Sequence, residues 1–409
     1  MRYPARTKER ERVAGPLVRA VWRRLPVGFR RGLAHGALAR FAPPLPALEP
    51  MGEGAPHIVV GFLSSPSGLG QAARLAMRAL EAQGKRVYGV DLGAHFFELG
   101  DNVAFAYRDG RALRGPAHVL ININAPYLAY VFQLLGRAFL RHKQITAYWA
   151  WELERAPESW RAGLARAHRI ATPSRFVADA IRALGDGPPI VVAPHPVALE
   201  DIPLLPARDA AVSPEAPFTV AFACNLASGF ARKNPLALVA AFRAAFAGRR
   251  DARLRLLATG GAHYPEGMAQ LRAAIGDDPA IELSTSALDR AGYWRWLGRP
   301  DLFASLHRAE GFGLGLAEAM CAGVPTLATG WSANAEYMNE NNSLIVKYSL
   351  IPVIDPQRKY ASGNGRWAEP DVADAAAQMR RAAAEPMLLQ RLAATARDDA
   401  RRRFSAFPI

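Results

Sequence analysis

Cysteine is scarce: Cys224 and Cys321 are the only two in 409 residues. They are too few and too far apart for a disulfide framework or a four-ligand metal site, so a reducing cytoplasm fits best. Long apolar runs are missing too. No stretch offers the ~18 apolar residues that span a bilayer, and the N-terminal segment lacks the uninterrupted apolar core of a signal peptide. Acidic residues are outnumbered, 36 Asp and Glu against 51 Lys and Arg, for a formal net charge of +15. The excess is local: eleven Arg or Lys against two Glu give residues 1–40 a net +9, which leaves +6 for the other 369. Basicity concentrated in a leader does not describe a nucleic-acid-binding surface, and no nucleic-acid partner is expected.

What is present is half apolar and long enough for two cores, since single cores rarely grow past ~250–300 residues. In the leader, Leu17, Val18, Val21, Trp22 and Leu25 fall on one side of a helix, with Arg19, Arg23 and Arg24 toward the others. Such a helix in residues 1–41 can lie on an anionic membrane, which would make the protein peripheral on the inner membrane; packing on its own protein or a disordered tail are equal readings. The proline-rich Ala42–Pro50 reads as a stiff linker, with the folded part starting near His57.

From there strands and helices alternate. His57–Leu63, Arg86–Asp91, His118–Ile123 and Gln144–Trp149 read as strands, with a helix over Gln71–Gln83. A second series has strands at Phe218–Ala223, Arg253–Thr259, Ala280–Leu283, Leu302–Leu306 and Thr326–Ala328, and a helix at Pro235–Ala247. Alternation of this kind gives parallel sheets covered on both faces. The expected fold class is α/β, two doubly wound Rossmann-like domains facing a cleft, with ligands at the carboxyl ends of the strands. The expected division is a leader and linker (1–55), a first α/β domain (56–205), a second α/β domain (206–385) and a helix returning to the first domain (386–409).

The segment Glu310-Gly311-Phe312-Gly313-Leu314-Gly315-Leu316-Ala317-Glu318 places two carboxylates around a glycine-rich turn between a buried strand and a helix ended by Gly323. Glycines admit close backbone approach, and a helix start offers unpaired N–H groups and a positive dipole end, which suits a diphosphate. Glu310 can accept hydrogen bonds from sugar hydroxyls; Glu318, read as a first-turn residue, can take both hydroxyls of a ribose. Taken singly, Glu318 reads more simply as an ordinary first-turn acid favoured by the helix dipole and Glu310 as a surface loop residue.

Other pieces fit the same chemistry. Gly68-Leu69-Gly70 opens the first long helix and can approach acceptor or phosphate backbone-first, or be a plain tight turn; it lacks the full dinucleotide fingerprint and carries no P-loop lysine. Arg232 and Lys233 at a helix start oppose the dipole, and they suit a departing nucleoside diphosphate or are an exposed charged loop. Between Tyr148 and Trp160, three tryptophans and the acids Glu152, Glu154 and Glu158 suit a carbohydrate or a buried aromatic cluster, and Glu152 is the acid to test. His195, held between Pro194 and Pro196, can line the cleft or pack a hinge.

In chain order, Gly68-Leu-Gly70, Ser174-Arg-Phe-Val177, Pro194-His-Pro-Val197, Arg232-Lys-Asn-Pro235, Glu310 to Glu318 and Gly330-Trp-Ser-Ala-Asn334 resemble a glycosyltransferase of family 4 with the GT-B fold, over about residues 57–385. The resemblance implies retaining transfer of a hexose, mannose being the family-flavoured choice, from a nucleotide-sugar donor to a glycan or lipid-linked acceptor. It implies no metal and no cofactor, the nucleotide sugar being a substrate. By position, Glu310 matches the acid at the donor sugar, Glu318 the ribose-binding acid and Lys233 the pyrophosphate-binding lysine. Gly311, Phe312, Gly313 and Leu314 match the segment meeting sugar and phosphate. The Asn341–Ser343 and Gly365–Pro370 segments look like a bacterial subgroup that builds surface polysaccharides, lipopolysaccharide among them.

Two departures stand out. Ala227 occupies the place of an arginine common in the family, so Arg232 or another residue must substitute. Trp149 and Glu152 occupy the place of a common first-domain histidine, and no catalytic histidine is carried over. Fold does not fix reaction, so a nucleotide-sugar epimerase of similar architecture and a non-catalytic sugar-binding module remain competing readings.

Overall fold

The computed structural model describes residues 40–96, 103–205, 213, 215–360 and 365–409. Nearly all of the basic leader, and its membrane-surface reading, lies outside them. Among the described residues, no helix is long and apolar enough to cross a membrane.

The alternation seen in the sequence becomes two parallel six-stranded sheets. The first contains β1 (His57–Gly61), β2 (Val87–Asp91), β3 (Ala117–Ile121), β4 (Lys143–Tyr148), β5 (Arg169–Thr172) and β6 (Ile190–Val192), in the order β2-β1-β3-β4-β5-β6. The second contains β7 (Phe218–Asn225), β8 (Ala252–Thr259), β9 (Ile281–Ser284), β10 (Leu302–Ser305), β11 (Thr326–Thr329) and β12 (Leu344–Val346), in the order β12-β11-β10-β7-β8-β9. Inner strands are apolar on both faces, as covered parallel sheets require: Ile58, Val59 and Val60 in β1 and Leu302, Phe303 and Ala304 in β10 are all buried.

Each sheet reverses its winding beside its first strand, between β1 and β3 and between β7 and β10. Connections on either side of a reversal run to opposite faces, which leaves a crevice at the strands' carboxyl ends. The Gly68–Gly70 turn follows β1, the Arg232-Lys233 loop follows β7, and the Glu310–Gly313 turn follows β10. Topology therefore delivers the singled-out turns to the two crevices.

Locally the first turn is held by Ser67, which caps the Gly68–Ala82 helix by accepting from Gly70 N at 3.2 Å. A Cβ on Gly70 would stand 2.3 Å from Ser65 O and 2.6 Å from Phe62 O, whereas one on Gly68 would meet nothing within 4 Å. Arg74 clamps the loop from beneath, donating to Leu63 O at 2.9 Å and Ser65 O at 2.7 Å.

Several details depart from the sequence reading. The proline-rich segment is docked on the first domain: Pro43 O accepts from Arg166 (3.2 Å), Pro46 O lies 2.9 Å from His168 Nε2, and Glu49 pairs with His142 at 2.8 Å. Its fixed φ angles give a low-entropy strap once these partners exist. Strands β5, β6 and β12 were not foreseen, being too short to show a period. Nor was the antiparallel hairpin of β13 (Tyr348–Pro352) and β14 (Arg366–Pro370).

The domains meet closely. Ser174 accepts from Val177 N as an N-cap and donates to Gly311 O at 2.9 Å, and Phe176 N, in the first turn of that helix, donates to Glu336 Oε1 at 2.8 Å. Arg366 of the hairpin reaches Glu154 at 3.2 Å. The Pro386–Arg403 helix packs with the second core through Leu389, Leu392 and Ala396. The residues after it make the return: Phe407 enters the first-domain core, where Gln83 donates to its carbonyl at 2.8 Å.

Gly70→Ala is expected to lower stability by about 1–3 kcal/mol through backbone overlap, while Gly68→Ala, in open space on a helix, should be neutral or stabilise by up to about 1 kcal/mol. Urea unfolding midpoints of the two variants check this contrast.

Candidate functional site

The site is built where β7 and β10 diverge. The loops that follow them are stitched together: Arg308 N donates to Arg232 O (2.7 Å), Arg308 Nη1 to Ala231 O (2.6 Å), and Arg232 Nη1 to Ala309 O (2.8 Å). Arg232 and Lys233 end a four-residue helical turn, Phe230–Lys233, and Asn234 reverses the chain in the left-handed region (φ 50°) before Pro235 opens the next helix. They stand directly before that helix, Lys233 next to its N-cap Asn234, which is the helix-start position expected of them, and they also close the short turn that precedes it.

Glu310 faces both. Its Oε1 is 2.5 Å from Lys233 Nζ and its Oε2 is 3.0 Å from Arg232 Nη1. Burial alone would push this carboxyl up. The two cations prevail, and it is held down at about 2. The side chains are unequally accessible, 4% exposed for Arg232, 10% for Glu310 and 22% for Lys233, so the lysine is the member a ligand meets first.

The backbone of Glu310 is fixed from the Gly330–Asn334 segment. Glu310 N donates to Ser332 Oγ at 2.8 Å, and Ala333 N donates to Glu310 O at 3.2 Å. Ser332 adopts φ 74°, unusual for a residue with a side chain, in a buried position. Strain of this kind persists where the surroundings over-determine it. Beneath lies buried His307, between Ser305 Oγ (3.0 Å) and Asn334 Oδ1 (2.9 Å). Asn334 Nδ2 donates to Thr329 O (2.9 Å), so Oδ1 is its acceptor and the imidazole proton sits on Nε2. Burial lowers the pKa of this histidine.

The turn itself is tight against the first domain: a Cβ on Gly311 would lie 2.6 Å from Trp151 O. Phe312 is buried among His195 (5.1 Å between ring centres), Phe404 (5.4 Å) and Tyr337 (5.8 Å). Gly313 takes φ 85°, so the helix begins at Leu314 and runs to Ala322. Glu318, expected in the first turn, lies in the second. It is buried and receives Arg290 Nη1 at 2.7 Å, while burial raises its pKa against the opposing pull of that arginine.

First-domain residues divide. Glu152 approaches the cation cluster, 3.8 Å from Arg232 Nη2, whereas Glu154 pairs with Arg366 and Glu158 with exposed Arg161. Trp149, Trp151 and Trp160 are buried and stack edge-to-face at 5.7 and 5.2 Å. A buried aromatic side chain of ~150–250 Å² contributes roughly 4–6 kcal/mol. These rings are core, so of the two readings left open for them, carbohydrate platform and buried aromatic cluster, the packing takes the second. His195 is buried, 3.1 Å from Tyr148 Oη, and burial drives it down to about 4. The Gly68–Gly70 turn sits at the other crevice, at the end of β1. Residues the sequence reading missed here are Arg290 and the Asp355–Tyr360 turn; neither has a motif or period, and only tertiary contact reveals them.

Residues 217–358 match the model of the family described as Glycosyl transferases group 1. No curated protein matches the chain by sequence. HepE from Anabaena, solved with UDP, is similar at 14% identity, covering 85% of this chain and 95% of its own, with a TM-score of 0.57. Sucrose-phosphate synthase from Thermosynechococcus elongatus is similar at 16% identity, 86% and 95% coverage, and a TM-score of 0.60. A variant of TarM from S. aureus, solved with fondaparinux, alpha-GlcNAc-glycerol and UDP, is similar at 10% identity over 70% of this chain, with a TM-score of 0.51. The chain spans about half of TarM, 52% of its length. These likenesses establish the fold: two Rossmann-like domains in the GT-B arrangement.

Glu310→Gln leaves buried Arg232 without its counter-charge and should destabilise the free protein by about 3–5 kcal/mol near neutral pH. The carboxyl titrates near 2 in the fold against an ordinary 4.5. The unfolded chain therefore takes up the proton first as pH drops, and this contribution is present above about 4.5 and lost as pH falls through about 2. The stability difference between wild type and variant, followed by denaturant unfolding, should hold from pH 7 to 5 and shrink below that.

Proposed function

We propose that the protein is a glycosyltransferase that moves a hexose from a nucleoside-diphosphate sugar to a glycan or lipid-linked acceptor with retention, as a family 4 member of surface-polysaccharide synthesis. The observation that carries this reading is the Arg232–Glu310–Lys233 cluster at the β7/β10 crevice. It joins an ionised acid, a ligand-accessible ammonium and a glycine turn within one site, inside the segment that matches Glycosyl transferases group 1. Supporting it, structural neighbours of the same fold were solved with UDP.

In this reading the donor's diphosphate meets Lys233 and the N–H groups of the Gly311–Leu314 turn, while Glu318 accepts from the ribose with the carboxylate oxygen that Arg290 leaves open. Diphosphate binding draws Lys233 from Glu310 and frees a carboxylate oxygen for the sugar hydroxyls. The bond from the anomeric carbon to the phosphate oxygen breaks, and the acceptor oxygen bonds to that carbon from the same face. Its proton passes to the departing phosphate, so no separate base is needed. Glu310 and Lys233 stabilise charge that develops in that step. Glu152, beside Arg232 at the first-domain edge, faces the acceptor side, and the Gly68–Gly70 turn supplies backbone donors across the cleft.

A panel of UDP- and GDP-hexoses, mannose included, assayed for acceptor-dependent release of nucleoside diphosphate tests the reading. Glu310→Gln is expected to lower kcat at least ~100-fold, as for loss of a group acting in the transition state. Glu318→Ala should chiefly raise the donor KM, by about 10-fold, the equivalent of ~1.4 kcal/mol. Near-normal turnover by a folded Glu310→Gln protein contradicts the assignment. Interconversion of free sugar nucleotides without an acceptor would identify an epimerase.

A further inference from the structure

The cation cluster has little to spare for a diphosphate. Arg232 is almost wholly buried and shares Nη1 between Ala309 O and Glu310, which leaves Lys233 as the accessible charge. A second cation stands nearby on a segment without helix or strand signal. Between β13 and β14, the Asp355 carboxylate gathers the N–H groups of Gln357 (3.1 Å), Lys359 (2.6 Å) and Tyr360 (3.2 Å).

Gln357 then fastens this turn to the loop after β7. Its Oε1 accepts from Phe230 N at 2.6 Å and its Nε2 donates to Leu226 O at 3.0 Å. On the other side Tyr360 packs against Trp151, 5.4 Å between ring centres. The turn is thus wedged between the loop that carries Arg232 and Lys233 and the first-domain wall of the cleft. Lys359 lies in this turn, half-buried, with its ammonium within electrostatic reach of Glu152, Asp355 and Arg232. Among the described residues its ammonium has neither a hydrogen bond nor an ion pair. Desolvation lowers its pKa, which Glu152 and Asp355 oppose. A half-buried ammonium without a hydrogen-bonded partner, on a turn bonded to the loop that carries Arg232 and Lys233, is available to an anion.

We propose that Lys359 is a second anion-contacting residue of the donor site, meeting the diphosphate opposite Lys233. The inference rests on the donor-site reading above.

Calorimetric titration of the full chain with UDP, GDP, uridine and guanosine tests this in wild type, Lys359→Ala, Lys359→Arg and Lys233→Ala. Wild type is expected to bind one diphosphate more tightly than its nucleoside. Lys359→Ala should weaken that diphosphate about 10-fold, equivalent to ~1.4 kcal/mol, with nucleoside affinity and Tm unchanged and with recovery in Lys359→Arg. Full diphosphate affinity in Lys359→Ala, with Lys233→Ala impaired, overturns the inference and leaves the donor reading standing. Equal loss of nucleoside and diphosphate affinity makes Lys359 merely structural and overturns it too. A wild type that does not distinguish diphosphate from nucleoside overturns both.

Discussion

The ion cluster of Arg232, Glu310 and Lys233 is the constraint on which the rest of the site depends. Three charged groups are drawn out of water at the point where two sheet connections part. A buried carboxylate is tolerated only when paired and hydrogen-bonded. The pairing explains the stitched loops: Arg308 and Arg232 each donate to the other's strand connection, so the cations and the acid cannot drift apart without breaking several bonds. It also explains the strained Ser332, whose hydroxyl fixes the Glu310 N–H. The same low-dielectric setting that makes the cluster costly leaves Lys233 as its most accessible member, the one for which the proposed donor's diphosphate would compete.

Domain contacts extend this logic. Gly311 is pressed against Trp151 and bonded through its carbonyl to Ser174, so the turn that follows Glu310 is also the seam between domains. Phe312 packs on His195 from the first domain and on Phe404 just past the last helix. Opening the cleft would therefore move the turn, which in the proposed reading would couple a donor bound there to closure.

The α/β alternation was legible because each inner strand is a short apolar run and each long helix has a clear stop. The Glu310–Glu318 motif was legible because glycine and acid spacing is local. What failed was non-local. The start of the Leu314–Ala322 helix depends on the left-handed Gly313, itself facing Tyr337, and this shifts Glu318 by a turn. The fate of Trp149, Trp151 and Trp160 is set by packing with Ala309, Tyr360 and Trp367, residues far along the chain. The hairpin of β13 and β14 is half-exposed and contains Pro352, so no period marked it, and its turn with Lys359 was invisible for the same reason. Arg290, paired with Glu318, likewise carries no local signal.

The central claim is that Lys233 is shared, bound to Glu310 in the free protein and surrendered to the donor's diphosphate. A double-mutant cycle of Lys233→Ala and Glu310→Gln, read by equilibrium unfolding without ligand and at saturating UDP or GDP, measures the coupling between the two residues directly. The account predicts favourable coupling of about 1–3 kcal/mol without ligand, collapsing toward zero when the diphosphate is bound. Coupling that is absent in the free protein, or unchanged by a diphosphate that binds, would contradict it.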